Sequence, residues 1–249
     1  MEAGLNLYSV RNLIGTEEGL IETAKKLKEM GYSYLQFSGA PYDAEKIKRA
    51  SSEAGLPVYL THVPYDRIIN DTERLMEEHA SFGCRNIGLG KLPKQTFTDE
   101  DEFKKAVKSL NSAAEKMAQK GFKFFYHNHH VEFLRLGGST LFDYMAQNAP
   151  AVNFTLDTYW LQYGGADILS TVGRLEGRIG CGHLKDYKIV CDENGGFSPA
   201  MAPLGEGVLD FSRIIPAMRA GGTLYFFVEQ DNAATAPDTL SEVKKSIDY

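Results

Sequence analysis

The sequence predicts an α/β fold in which eight parallel strands alternate with eight helices and close into a single (β/α)8 TIM barrel. Short apolar segments rich in aromatic and β-branched residues alternate with longer segments of helical periodicity. Eight such pairs occur in chain order, and eight parallel strands are enough to close a barrel. The 249 residues match the about 250 residues typical of such a barrel, so residues 1–249 are interpreted as one domain.

Each strand candidate is short and is followed by a helical segment. The strand candidates cover residues 3–8, 33–37, 57–62, 86–89, 122–127, 153–156, 179–184 and 223–228. The helix candidates lie near residues 16–30, 43–54, 70–82, 99–120, 139–147, 165–172, 208–219 and 236–247. Within 99–120, the apolar residues from Phe103 to Met117 recur at helical spacing and form one face. The widest interval between a strand and its helix, residues 185–207, is rich in turn-forming residues and is predicted to be a long loop.

The composition argues against several functional classes. The chain is 43% hydrophobic with a formal net charge of −6 and has no basic stripe, so no nucleic-acid partner is expected. No apolar segment approaches the about 18 residues of a membrane span, and no membrane partner is expected. Three cysteines without disulfide or metal-binding spacing predict reduced thiols and a cytoplasmic protein. No export signal is visible, but the opening Met-Glu-Ala is also compatible with the removal of one.

Polar residues follow every predicted strand, and in such barrels the active site lies at the carboxyl ends of the strands. Charged residues there are costly unless they converge on a ligand. The last four strands are followed by Glu132, Asp157, His183 and Glu229. Because consecutive barrel strands are neighbours, these side chains are predicted to surround one point. Three carboxylates and one imidazole suit a single divalent cation such as Mn²⁺, Co²⁺, Mg²⁺ or Zn²⁺.

Other residues at the strand ends are candidates for substrate binding. They are Arg11, Gln36, His62, His127, His129, Trp160 and Lys185. Arg11, Gln36 and Trp160 fit either a pocket or a packing role. One of His127 and His129 is predicted to be functional, because the two share a strand face if the strand extends that far.

Six motifs occur in an order that carries a family resemblance. They are residues 4–11 (GLNLYSVR), 126–133 (YHNHHVEF), 156–158 (LDT), 182–186 (GHLKD), 204–207 (LGEG) and 228–229 (VE). Together they resemble the xylose isomerase-like TIM barrel superfamily, in particular its sugar phosphate isomerase/epimerase branch. The resemblance covers almost the whole chain and is specific for the superfamily, not for a substrate.

The resemblance implies roles for individual residues. Glu132 and Glu229 would bind the metal and also transfer the proton. Asp157 and His183 would complete the metal site. His62 would line the pocket, and Lys185 would face substrate oxygens. The chain departs from many epimerases and from the related endonucleases at Trp160, where those proteins have a histidine. The resemblance therefore does not assign the substrates of those proteins to this chain.

The function expected from these features is metal-dependent isomerisation or epimerisation of a small sugar or keto-sugar through an enediolate. A lyase on the same scaffold, such as a keto-inositol dehydratase or an enzyme that cleaves 3-keto-glycosides, is the alternative. A sugar-binding barrel without catalysis and an abasic-site endonuclease are less favoured, the latter because of the acidic composition and Trp160. The sequence has no glycine-rich phosphate loop, so an unphosphorylated carbohydrate is the expected partner. Members of the family that the chain resembles are often dimers or tetramers, which is compatible with a homo-oligomer, but no sequence feature predicts an interface.

Overall fold

The computed structural model describes residues 2–249 and contains a closed barrel of parallel strands. The strands are β1 (Gly4–Asn6), β2 (Tyr34–Phe37), β3 (Val58–His62), β4 (Asn86–Leu89), β5 (Lys123–His127), β6 (Asn153–Asp157), β7 (Ile179–Leu184) and β8 (Tyr225–Val228). Each strand pairs with its neighbour in sequence, and β1 closes the barrel against β8 with Leu5 opposite Val228. The predicted fold class is confirmed.

Helices surround the barrel. They are α1 (Glu17–Glu29), α2 (Ala44–Ala54), α3 (Tyr65–Asn70), α4 (Thr72–Ser81), α5 (Glu100–Gln119), α6 (Leu141–Asn148), α7 (Thr158–Tyr163), α8 (Ile168–Arg174), α9 (Phe211–Ala220) and α10 (Thr239–Asp248). The short helices α3 and α7 were not predicted, because their six residues carry too little periodicity. Several of the other helices begin at side chains that accept the first free backbone N–H groups, such as Thr16, Asp43 and Asp99.

The segment 185–207 contradicts the prediction of a long loop. It forms an antiparallel hairpin in which Asp186–Cys191 pairs with Phe197–Ala202. The buried carboxylate of Asp186 holds the base of the hairpin, because it accepts backbone hydrogen bonds from Gly205, Gly207 and Leu209. A Cβ at Gly207 would lie 2.1 Å from Asp186 Oδ1, so this contact requires glycine.

The barrel interior is divided into two layers by the two-residue alternation of the strands. One layer is an apolar cluster of Tyr34, Leu60, Phe125, Cys181 and Phe227. Two residues further along the chain, towards the carboxyl ends, come Gln36, His62, His127, His183 and Glu229. The second layer is polar. No helix among residues 2–249 is both long and apolar enough to cross a membrane.

Candidate metal centre

Four buried side chains meet at the carboxyl ends of the barrel strands. They are His127, Asp157, His183 and Glu229, and each offers one ligand atom within 4.8 Å of the others. His127 Nε2 lies 3.2 Å from Asp157 Oδ2, and His183 Nδ1 lies 2.7 Å from Glu229 Oε2. Three of these residues belong to the set predicted from the sequence; the group also contains His127 and does not contain Glu132.

Hydrogen bonds on the far side of each ring orient the two histidines. Nδ1 of His127 donates to the carbonyl of Gly90 at 3.1 Å, which turns Nε2 towards Asp157. Nε2 of His183 donates to Oε1 of Gln36 at 2.7 Å, which turns Nδ1 into the group. That Nδ1 atom is buried and makes no aligned hydrogen bond. Imidazoles that are fixed from behind and direct a nitrogen inward are typical of metal ligands.

Gln36 also orients His62. Its carboxamide oxygen faces His183, so its Nε2 donates to Nε2 of His62 at 2.9 Å. The residue after β4 is Gly90, which has no side chain and so leaves room for the His62 ring. A Cβ at Gly90 would lie 2.8 Å from Nδ1 of His62. Gln36 therefore lies behind the group as a positioning residue, while His62 lines the cavity.

Each carboxylate of the group also accepts a hydrogen bond from a residue outside the group. Oδ1 of Asp157 accepts the backbone N–H of Trp160 at 2.8 Å and caps α7, which leaves Oδ2 facing the histidines. Oε2 of Glu229 accepts from Nδ2 of Asn6 at 2.6 Å. Two imidazole nitrogens and two carboxylate oxygens suit a divalent ion of borderline hardness.

Glu132 does not join this group. It lies on the turn Val131–Phe133, and both of its oxygens are engaged: Oε1 accepts from the hydroxyl of Tyr126 at 2.6 Å and Oε2 accepts from the backbone N–H of His129 at 2.7 Å. Burial raises the pKa of its carboxyl. These two hydrogen bonds hold the buried carboxylate of Glu132 against Tyr126 and the backbone of His129, outside the group of four.

Lys185 is buried beside the group. Its ammonium lies 3.0 Å from Oε1 of Glu229, 3.7 Å from Oδ2 of Asp157 and 2.6 Å from Oδ1 of Asp231. It also lies 5.2 Å from the ring centroid of Trp160, over the indole.

Sequence reasoning missed Asp231 and Asn6, because a polar residue inside a strand or on a turn carries no spacing signal of its own.

Charges and burial shift the pKa values in the group. Burial lowers the pKa of His183, but the close carboxylates of Glu229 and Asp157 together outweigh it and raise the pKa to about 9. Burial opposes the ionised form of Glu229, yet Lys185 and His183 hold the pKa of its carboxyl well below the ordinary value. Burial and the neighbouring His127 and His183 lower the pKa of His62.

An open cavity of about 480 Å³ leads to the group, a size suited to a small molecule. It is lined by Asn6, Tyr8, Ser38, Gly39, His62, Gly90, Lys91, His127, His129, Trp160, Glu229 and Asp231. Of the predicted substrate-binding residues, Gln36 and Lys185 lie outside this lining, and so does Arg11. Its guanidinium stacks 4.3 Å from the ring centroid of Tyr8 and donates to the main-chain oxygen of Asp231 at 2.8 Å.

The sequence matches the model of the xylose isomerase-like TIM barrel family over residues 24–248. The chain belongs to this family. The resemblance inferred from the six motifs is thereby confirmed. No curated protein matches the sequence.

Solved structures of similar xylose isomerase-like barrels cover the whole chain. One sugar phosphate isomerase/epimerase from Parabacteroides distasonis ATCC 8503 is 21% identical, with a TM-score of 0.80 over 100% of this chain and 92% of the other. A second one from the same organism is 27% identical, with a TM-score of 0.77 over 100% and 96%. A barrel from Mycobacterium smegmatis in complex with magnesium is 15% identical, with a TM-score of 0.71 over 100% and 94%.

Proposed function

We propose that this xylose isomerase-like barrel is a metal-dependent isomerase or epimerase of a small unphosphorylated sugar or keto-sugar. The observation that carries the proposal is the buried group of His127, Asp157, His183 and Glu229, whose two imidazoles are fixed from behind so that a nitrogen of each faces the carboxylates. The 27% identity to a sugar phosphate isomerase/epimerase supports the reaction class.

A divalent cation held by these four residues would polarise a substrate carbonyl and stabilise the charge that develops when the neighbouring carbon loses its proton. Two nitrogen ligands favour Mn²⁺, Co²⁺ or Zn²⁺ over Mg²⁺. In this arrangement His127, rather than Glu132, is the fourth ligand.

Glu229 is the proposed proton carrier, because its carboxylate belongs to the group and lines the cavity. One carboxylate suffices to move a proton between neighbouring carbons. Inversion at a single carbon needs a second group on the opposite face of the substrate. His129 and Lys91, which follow β5 and β4 across the barrel mouth from Glu229, line the cavity on that side.

The remaining polar groups would orient the sugar. His62 and His129 line the cavity and would bind hydroxyl groups. The buried ammonium of Lys185, beside Glu229, would stabilise negative charge that develops on substrate oxygen. Trp160 offers an aromatic wall against the apolar face of a sugar ring.

Proton exchange tests the reaction class before the substrate is known. Ketoses, keto-inositols and 3-keto-glucosides are incubated with the cobalt-loaded protein in D₂O, and NMR follows the C–H signal next to the carbonyl. Exchange of that proton is expected, and Glu229→Gln is expected to slow it by about 10²–10⁴-fold, because a positioned acid–base group contributes that much.

The control for that experiment is Glu206→Gln, which removes an exposed carboxylate paired with Lys188 at 3.7 Å outside the cavity and should leave exchange unchanged. Release of water or of an aglycone would assign the lyase reaction instead. Full activity of Glu229→Gln would contradict the assignment of the proton carrier.

A further inference from the structure

Lys185 is surrounded by carboxylates, and only some of them belong to the candidate metal centre. The side chain is 1% exposed, and its ammonium contacts Asp157, Glu229 and Asp231 at 2.6–3.7 Å. Asp157 and Glu229 are proposed metal ligands, whereas Asp231 is not a member of the group of four. One buried cation is therefore shared between two ligand carboxylates and one carboxylate outside the ligand set.

This placement makes Lys185 a competitor of the metal. Buried carboxylates without a counter-charge are strongly destabilising, so Lys185 stabilises Asp157 and Glu229 when no metal is bound. A divalent cation bound by the same two carboxylates would repel the ammonium across a few ångströms of weakly polarisable surroundings. The ammonium and the metal would therefore compete for the same two carboxylates.

Asp231 offers the ammonium an alternative partner. Its Oδ1 is the nearest of the three carboxylate oxygens, at 2.6 Å, and its backbone is fixed because its carbonyl accepts from Arg11. The indole of Trp160 borders the ammonium as well. Arg11 and Trp160 therefore keep the Lys185–Asp231 contact in place beside the cavity.

We infer that Lys185 is a built-in counter-ion that sets the metal affinity of the site, and that Asp231 is the positioning residue that retains its ammonium when a divalent cation binds. This inference rests on the metal site of the proposed function. It goes beyond that proposal because it assigns Lys185 a role before any substrate arrives. The consequence is a site that folds without metal and binds metal less tightly than its four ligands alone would.

The test compares Co²⁺ binding by the full chain and by Lys185→Met, each stripped with a chelator and measured by calorimetry. Lys185→Met is expected to bind Co²⁺ at least about tenfold more tightly, which corresponds to about 1.4 kcal/mol. The stripped variant is also expected to melt at a lower temperature and to gain more in melting temperature from Co²⁺. Lys185→Gln, which keeps a hydrogen-bond donor without the charge, serves if the methionine variant does not fold.

Lys91→Met is the matched control. Lys91 is exposed and lines the same cavity, so its loss removes the same charge at a screened position. The change in Co²⁺ affinity is expected to stay within about threefold. An equal gain in both lysine variants would mean that net charge alone acts, and it would overturn the inference.

Asp231→Asn separates positioning from ligation. If Asp231 acts by retaining Lys185, its removal weakens Co²⁺ binding several-fold in the parent chain and has no further effect in the Lys185→Met background. An equal loss in both backgrounds would show that Asp231 binds the metal directly, contrary to the inference.

The two proposals fail separately. If neither the parent nor Lys185→Met binds Co²⁺, the metal site itself is wrong and the inference falls with it. If the parent binds Co²⁺ and Lys185→Met binds it no more tightly, the metal site stands and only the counter-ion role is overturned.

Discussion

The two layers of the barrel interior lie next to each other and have opposite chemistry, because one is apolar and the other is polar and opens into the cavity. The amino-terminal layer, Tyr34, Leu60, Phe125, Cys181 and Phe227, is apolar and tightly packed, with Tyr34 and Phe227 in edge-to-face contact at 5.3 Å. The carboxyl-terminal layer, two residues further along the same strands, consists of amide, imidazole and carboxylate groups. The apolar layer fixes the spacing of the strands, and that spacing brings the four side chains of the candidate metal centre together.

The difference shows where stability and function are separated in this molecule. Apolar burial is non-directional, so the amino-terminal layer depends mainly on apolar side chains of the right total volume. Buried charges are tolerated only where each has a partner, so the carboxyl-terminal layer depends on individual contacts such as those of Gln36 and Asn6. Substitutions in the two layers should therefore affect different measurements.

The strongest effect predicted is a loss of unfolding free energy after a substitution in the amino-terminal layer. Leu60→Ala removes a side chain that is fully buried inside the barrel and should lower the free energy of unfolding by about 2–5 kcal/mol. The Co²⁺ affinity of the folded protein should change by less than about threefold, because Leu60 belongs to the apolar layer and not to the group of four. Denaturant unfolding and calorimetry measure the two quantities. A large loss of metal affinity with little loss of stability would contradict the separation of the layers.

The next effect distinguishes His127, which lies in the carboxyl-terminal layer, from Glu132, which lies on the turn after β5. His127→Ala should weaken Co²⁺ binding more than about a hundredfold, beyond the 10–100-fold cost of losing an outer-shell partner. Glu132→Gln should weaken it by less than about tenfold, because Glu132 positions the loop through Tyr126 and His129. The opposite ranking would restore Glu132 as the ligand that the sequence predicted.

The smallest effect concerns a buried histidine outside both layers. His79 is fully buried between α4 and β3, with Nδ1 2.7 Å from the carbonyl of Leu75 and Nε2 2.7 Å from Oγ1 of Thr61. Burial lowers its pKa to about 4. The unfolded chain takes up the proton at a higher pH, near 6.5, so the neutral histidine stabilises the protein above that pH, and stability is lost as the pH falls towards 4.

Comparison with His79→Gln isolates that contribution. Between pH 8 and pH 5 the parent should lose about 2 kcal/mol more unfolding free energy than the variant, from about one and a half pKa units of the shift. Urea unfolding at the two pH values measures it. Tyr42 and Arg67 also approach this ring, and they are unchanged in the variant. Equal pH dependence in both proteins would show that His79 does not titrate on unfolding.

Much of the fold follows from local patterns. All eight strands lie where the apolar segments predicted them, since a barrel strand is buried on both faces and reads as a continuous apolar run. The hairpin at 186–202 was missed because its exposed side chains, such as Phe197 and Ile189, carry no burial pattern. Its formation depends on Asp186, which ties together residues about twenty positions apart.

The barrel and three members of the polar group, Asp157, His183 and Glu229, follow from sequence patterns, because strand ends can be located from hydrophobic runs and converge in any closed barrel. The fourth member depends on tertiary contacts. Strand alternation directs His127 into the barrel, one layer beyond Phe125 towards the carboxyl ends of the strands. The turn that follows β5 places the carboxylate of Glu132 against Tyr126 instead. The partners of Lys185 were likewise set by tertiary contacts, because the position of a buried charge depends on groups from several strands and turns, which spacing along one chain segment does not specify.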